Sequence, residues 1–136
     1  QIWFDPNIRE TITKEATYDD YNSDDFLTEE IDGSSIKKIV GNKSVMKMDS
    51  EGVSINLYNI PKNHRLKLVL DPEYIYSYFL IDGEIEIDKE VISKGDFFKV
   101  SEENNLLLSS KEKSNLFEIK SPIRPSYTTY GERYSN

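Results

Sequence analysis

The sequence has no cysteine and only one histidine, and these two shortages exclude several kinds of site. Without cysteine there is no thiol nucleophile, no disulfide and no thiolate-ligated metal. The lone His64 cannot supply the several imidazoles on which many zinc and iron centres depend. The absence of cysteine is also compatible with a cytoplasmic protein, which is the localisation we expect.

Basic residues and long apolar runs are scarce as well. The chain carries 17 lysine and arginine residues against 25 aspartate and glutamate residues, a net charge of -8 at pH 7. That balance repels phosphate groups, so nucleic acid is not an expected partner. No run approaches the roughly 18 apolar residues of a membrane span, and the N-terminus lacks both parts of a signal peptide. We therefore expect no membrane association.

What is present predicts one all-β domain. The 136 residues are enough for a single core, and most of the isoleucine, leucine, valine and phenylalanine residues lie between positions 53 and 120. Apolar and polar residues alternate there with the period of two that is typical of half-buried strands. The alternating positions are Val53, Ile55 and Leu57, then Leu66, Leu68 and Leu70, then Ile85 and Ile87. Short strands at close intervals favour an antiparallel sandwich or barrel with few or short helices.

The two ends of the chain differ from this middle. Residues 2–4 form an apolar opening strand in our prediction, and a polar, acidic stretch over residues 18–32 is predicted to be an extended loop. Residues 123–136 contain tyrosine and proline but little else that is apolar, which indicates a surface-bound or disordered tail. The predicted domain therefore covers residues 1–122.

The acidic loop invites a calcium interpretation that its other positions do not support. Asp20, Asn22 and Asp24 have the spacing of the first three ligands of an EF-hand loop. However, Asp25 stands where that loop needs glycine, and Ile31 stands where it needs a bidentate glutamate. A solvated acidic loop is the better interpretation.

A cluster of aromatic residues is the best candidate for ligand binding. Strand alternation places Tyr74, Tyr76 and Tyr78 on one face, where phenol rings could line a pocket or pack in the core. Phe98 could likewise line a pocket or pack in the core. His64 starts a predicted strand near the same barrel mouth. No nucleophile motif accompanies His64, so we assign no catalytic residue.

Residues 74–100 resemble the centre of a cupin barrel, in which a strand passes through one glycine, here Gly83, and a hairpin leads to a Gly-Asp turn, here Gly95 and Asp96. Turn propensity alone predicts a type I′ turn at Asp82 and Gly83. The resemblance implies instead a continuous strand there and a turn near residues 88–90. It also implies a cupin-type antiparallel barrel or double-stranded jelly-roll sandwich.

More specifically, the chain resembles the C-terminal cupin domain of the pirin-like family, which includes bacterial quercetin 2,3-dioxygenases. The similar segments are the opening residues 1–6, which match a linker strand, the hairpin over 53–70 and the final strand over 115–122. Metal-binding cupins carry histidines and a glutamate at positions that fall here near residues 69–72, at Tyr76 and near Leu106. Of these, only Asp71 is a ligand type, so we predict no metal or cofactor in this chain.

The resemblance implies that the metal, iron or another divalent ion, belongs to a separate N-terminal cupin domain of the same protein. We therefore predict that this chain is a non-catalytic domain that packs against such a cupin, and that any dioxygenase activity belongs to the longer protein. Self-association into a homo-oligomer stays open as a second arrangement. The alternative function is a small-molecule binding module whose barrel mouth is lined by the aromatic cluster and His64.

Overall fold

The computed structural model describes residues 1–134 and shows two antiparallel β-sheets, as the alternating sequence pattern predicts. The helices are few and short, namely α1 (Ile8–Thr11), α2 (Tyr130–Tyr134) and one 3₁₀ turn (Ser23–Asp25). The strands are β1 (Thr28–Ile31), β2 (Ser34–Val40), β3 (Ser54–Ile60), β4 (Arg65–Val69), β5 (Tyr74–Asp82), β6 (Glu84–Ile87), β7 (Glu90–Ser93), β8 (Phe97–Ser101), β9 (Asn105–Ser110) and β10 (Ser114–Pro122).

The longer sheet has six strands in the order β1-β2-β3-β10-β5-β8, and the shorter has four in the order β4-β9-β6-β7. Strand β10 lies inside the longer sheet, between β3 and β5, although β3 precedes it by more than fifty residues. Because both neighbours pair with β10 along most of its length, this strand sets the register of the whole sheet.

The core lies between the two sheets. Strand alternation is visible in β4 and β9, where Leu66, Leu68, Leu106 and Leu108 are buried and their neighbours are exposed. The longer sheet contributes Ile60, Tyr78, Leu80 and Leu116 to the same cluster. Burial of side chains of this size contributes roughly 1.5–3 kcal/mol each. The predicted all-β fold class is therefore confirmed.

The chain moves from one sheet to the other at Gly83. Strand β5 ends at Asp82 in the longer sheet, and β6 begins at Glu84 in the shorter one, so the chain continues through Gly83 without reversing. The reversal comes at Asp88 and Lys89, whose φ angles of 49° and 73° suit a type I′ turn. The resemblance thus predicted this hairpin correctly, whereas turn propensity alone did not.

Part of the acidic stretch forms a strand where the sequence analysis predicts an extended loop. Glu29 and Glu30 lie in β1, which pairs with β2 through a turn at Asp32 and Gly33. The φ angles of these two residues are 46° and 75°, as in a two-residue hairpin turn. Charged residues are well suited to β1 because it is an edge strand.

No strand forms at residues 2–4, where an opening strand is predicted. A strand needs a partner edge, and this segment finds none: Trp3 is 84% exposed. The first residues instead contact the tail, where the Tyr127 hydroxyl donates to the carbonyl oxygen of Asp5 at 2.5 Å. The tail after Pro122 is thus held against the N-terminal segment at Tyr127 and Tyr130, while Ser135 and Asn136 lie outside the described residues. Within that described range, no helix is long and apolar enough to cross a membrane.

Replacement of Gly83 by alanine should destabilise the protein by more than the same change at Gly95. Both glycines have left-handed φ angles, 93° and 92°, which cost an alanine about 1–2 kcal/mol. A Cβ at Gly83 would also lie 2.7 Å from the carbonyl oxygen of Lys113, whereas nothing lies within 4 Å at Gly95.

Thermal unfolding of both variants measures the difference, with Gly95→Ala as the matched control for the φ angle. Equal losses in Tm would contradict the close approach of Lys113 and Ser114, at the turn between β9 and β10, to Gly83.

Candidate functional site

Three of the predicted ligand-binding residues lie together inside the barrel. Tyr76 and Tyr78 point inward from β5. Their ring centroids are 6.4 Å apart, and the planes of the two rings are nearly parallel. Phe98 stacks on Tyr78 from β8, at 4.9 Å. Tyr78 is fully buried and Tyr76 is 5% exposed, so both rings are members of the core.

The other two predicted residues lie at opposite ends of the longer sheet. Tyr74 pairs with Pro122 at the last residue of β10. His64 lies at the other end, where its backbone N–H donates to the Ser110 hydroxyl and its ring nitrogen contacts the Asp32 carbonyl oxygen. The nine residues of β10 span roughly 26 Å between those ends. One mouth therefore does not contain all five residues, and their ligand-binding role stays a prediction.

The structure reveals a buried carboxyl group that the sequence analysis missed. Glu118 points inward from β10 and is 3% exposed. Its Oε1 accepts a hydrogen bond from Asn56 Nδ2 at 2.8 Å, and both carboxyl oxygens lie 3.3 Å from the Tyr58 hydroxyl. The Tyr78 hydroxyl faces the same carboxyl but lacks the geometry of a full hydrogen bond. An ionisable side chain that is almost completely buried is rare in proteins. This cluster around Glu118 is therefore the candidate site.

Burial raises the pKa of Glu118, because the charged form loses hydration inside the barrel. Contacts with Asn56, Tyr78 and Tyr58 and the charge of Lys120 lower the pKa of Glu118, but they do not outweigh burial. Burial also raises the pKa of Tyr58 and of Tyr78, and the negative charge of Glu118 adds to both shifts. The surroundings of the cluster therefore raise the pKa of the carboxyl and of both phenols.

Strand register explains why these residues meet. Lys38, Asn56, Glu118, Tyr78 and Phe98 are consecutive partners across β2, β3, β10, β5 and β8. They form one continuous inward-facing row across the longer sheet, which we call the inner row. A polar residue inside an apolar run, such as the acid after Leu-Phe in β10, is the sequence signal that could have pointed to it.

Lys120 lies one step further along the same face of β10. Its ammonium group is 3.8 Å from the centroid of the Tyr74 ring and 5.8 Å from that of Tyr76. These distances are typical of cation–π contacts. Lys120 and Asn56 thus lie at the boundary between the buried core and the solvent, and both are partly buried.

A cavity of about 700 Å³ opens above that point. Its floor comes from β2, β3 and β10, and its walls come from the loop between β2 and β3, from the N-terminal segment and from the tail. The polar residues that line it include Asn7, Lys38, Asn56, Lys120 and Tyr127. Its volume lies within the range of small-molecule sites.

The positions that the cupin resemblance assigns to metal ligands do not hold a matching donor set. Leu70, Tyr76 and Leu106 are all buried in the core cluster. Asp71, the one ligand type nearby, accepts a hydrogen bond from the backbone N–H of Glu73 at 3.0 Å. No group of three histidine or carboxylate side chains suited to a metal occurs among residues 1–134. The described residues at these positions therefore do not fit the metal centre that the resemblance describes.

The pH dependence of stability should reveal the buried carboxyl. Because the pKa of Glu118 is raised above 4.5 in the folded state, the folded protein binds more protons than the unfolded chain at pH values above 4.5. The favourable contribution of Glu118 is therefore fully present below pH 4.5 and is lost as the pH rises through the folded pKa. Glu118→Gln removes this titration while keeping an acceptor for Asn56.

Urea unfolding of both proteins from acidic to neutral pH checks this expectation. The stability of the wild type relative to Glu118→Gln should fall as the pH rises. A difference that does not change with pH, or that grows in favour of the wild type, would contradict the assignment.

Comparison with known proteins finds no matching family model and no matching curated protein. Solved structures do match. A quercetin 2,3-dioxygenase from Acinetobacter baumannii aligns with a TM-score of 0.66 and 15% identity over 82% of this chain and 41% of its own. Bacterial pirin YhhW from Escherichia coli, solved with nickel(II), gives a TM-score of 0.57 and 12% identity over 68% and 41%. Ectoine synthase from P. lautus gives 0.55 and 16% over 70% and 68%.

The chain spans about a third to two fifths of the length of the dioxygenase and pirin structures. At these identities the likeness concerns the fold. The predicted resemblance to pirin-like cupins is therefore confirmed at the level of architecture: this chain is a cupin-type β-sandwich.

Proposed function

We propose that this chain is a metal-free, non-catalytic cupin domain that packs against a metal-bearing cupin domain of the same longer protein. Two observations support the non-catalytic part. The positions assigned to metal ligands hold Leu70, Tyr76 and Leu106 in the core. The barrel interior is otherwise filled by apolar side chains and by the inner row. Iron or another divalent metal, and dioxygenase-like chemistry, would belong to the second domain.

The observation that carries the packing proposal is an apolar row on the outer face of the longer sheet. Leu57, Phe117, Phe79 and Phe97 are consecutive cross-strand partners on β3, β10, β5 and β8. Phe79 is 41% exposed and Phe97 is 59% exposed, and Ile81 on the same face of β5 is 41% exposed. We call these five residues the outer patch.

The outer patch has the anatomy of a protein interface. Its centre consists of phenyl rings, which are enriched in interface cores, and Lys37 and Lys99 lie at its margin. Three large side chains left partly exposed side by side differ from the scattered apolar residues of an ordinary surface. A second domain is the favoured occupant because this chain aligns with only 34% of the dioxygenase structure and 41% of the pirin structure.

The alternative function, a small-molecule binding module with an aromatic-lined barrel mouth, is less well supported by the geometry. Tyr76 and Tyr78 are packed inside the core, and Tyr74 and His64 lie at opposite ends of the sheet. A ligand could reach those rings only after the core had opened.

Substitution of the outer patch should weaken binding to the second domain. The test needs the complete coding sequence and the adjoining cupin domain, produced separately and titrated with this chain by calorimetry. Phe79→Ser with Phe97→Ser should raise Kd by about tenfold to a hundredfold, since burial of each ring is worth roughly 1.5–3 kcal/mol and part of each ring is already covered.

Val69→Ser is the matched control, because Val69 is 85% exposed on the opposite sheet and should leave Kd unchanged. A coding sequence without a second cupin domain would contradict the proposal. So would a stable homodimer of this chain that is disrupted by the same two substitutions, because the outer patch would then serve self-association.

A further inference from the structure

We infer that the cavity above the inner row binds a small carboxylate that also carries a hydroxyl or amino group, with Lys120 and Asn56 as its principal contacts. This inference is independent of the second domain, because the cavity lies at the end of the barrel and the outer patch lies on the opposite face of the sheet from the inner row.

The anion-binding part rests on Lys120. Its ammonium group contacts the rings of Tyr74 and Tyr76, and within residues 1–134 it forms no ion pair with a carboxylate. The other cation on the floor, Lys38, is engaged by Glu29 at 3.1 Å. Lys120 is therefore the cation on the cavity floor that has no carboxylate at ion-pair distance within residues 1–134.

Two of the carboxylates around the cavity are engaged by other groups. Asp49 on the wall pairs with Lys14 at 2.7 Å, and Glu51 accepts hydrogen bonds from Ser126. Glu118 shares the inward face of β10 with Lys120, whose charge lowers the pKa of that carboxyl, but burial raises this pKa by more, and the carboxyl is held by Asn56 and Tyr58. A bound anion would thus meet an ammonium group that no carboxylate within residues 1–134 holds at ion-pair distance.

The hydrogen-bonding part rests on two amide oxygens. Asn56 uses Nδ2 to donate to Glu118, and this bond fixes the orientation of its amide so that Oδ1 is left as an acceptor at the cavity. Asn7 Oδ1, on the wall formed by the N-terminal segment, is buried without a hydrogen-bond partner. An unpaired buried acceptor costs roughly 1–3 kcal/mol, so a ligand donor that reaches it would be favourable.

Each part of the cavity thus selects one feature of the ligand. One ammonium group selects an anionic group, and two amide oxygens select hydroxyl or ammonium donors. A simple inorganic anion satisfies the first feature only. Glu118 acts here as a positioning residue, since it orients Asn56 and does not line the cavity.

Titration with three probes tests this inference. Malate carries carboxylates and a hydroxyl, succinate lacks the hydroxyl, and sulfate is an anion without donors. Heteronuclear NMR would follow the side-chain amides of Asn56 and Asn7 and the Cε group of Lys120 at millimolar probe concentrations. Malate should give saturable shifts, and succinate should bind roughly tenfold more weakly, the equivalent of about one hydrogen bond.

The variants separate the site from general charge attraction. Lys120→Gln should weaken malate binding by at least about tenfold, the loss expected for one charge-assisted contact. Lys120→Arg keeps the charge and should retain most of the binding. Lys67→Gln, on the exposed face of β4, is the control of equal charge change and should bind malate like the wild type.

Three results would overturn the inference: no saturable shift with either carboxylate, sulfate shifts as large as those of malate, or unchanged malate binding in Lys120→Gln. The backbone amide spectrum of β3 establishes that each variant is folded. If Lys120→Gln does not fold, the comparison of Lys120→Arg with the three probes decides.

Discussion

The pairing of β10 with β3 on one side and β5 on the other is the constraint on which the rest of the structure depends. These three strands carry the inner row on one face and the outer patch on the other, and strict alternation links the two faces. Because side chains alternate along β10, Leu116, Glu118 and Lys120 point inward and Phe117 between them points outward. A slip of one residue would place Phe117 in the core and expose Glu118, so burial of the leucines fixes both the inner row and the outer patch.

This constraint gives the barrel an interior that differs from that of a metal-binding cupin. Apolar side chains occupy the positions that the resemblance assigns to metal ligands, and the polar groups are gathered instead on the inner face of the longer sheet. Asn56 and Tyr58 satisfy the Glu118 carboxyl from β3, which makes the buried acid tolerable. The result is a closed core with one polar end, beneath the cavity that Lys120 and Asn56 line.

Local patterns in the sequence predicted the architecture well. Period-two alternation located the middle strands, and the Gly-Asp pattern with its resemblance located the hairpin that follows Gly83. The prediction of an N-terminal strand was wrong, because apolar composition indicates a strand but does not provide a partner edge. Trp3 finds no such edge and is exposed. The strand over Thr28–Ile31 was missed although Asp32 and Gly33 form a recognisable hairpin turn. The Glu118 cluster depends on contacts between residues 62 positions apart, which no local pattern encodes.

The most direct test of this account is a carbon-detected NMR titration of the Glu118 side-chain carboxyl in the intact chain. If the register of β10 buries this group as described, its pKa lies above the ordinary value of 4.5, and Tyr58→Phe, which removes a hydrogen bond to the charged form, raises it further. A pKa at or below 4.5 that Tyr58→Phe leaves unchanged would show that Glu118 faces solvent. It would contradict both the inner row and the assignment of the two faces of the sheet.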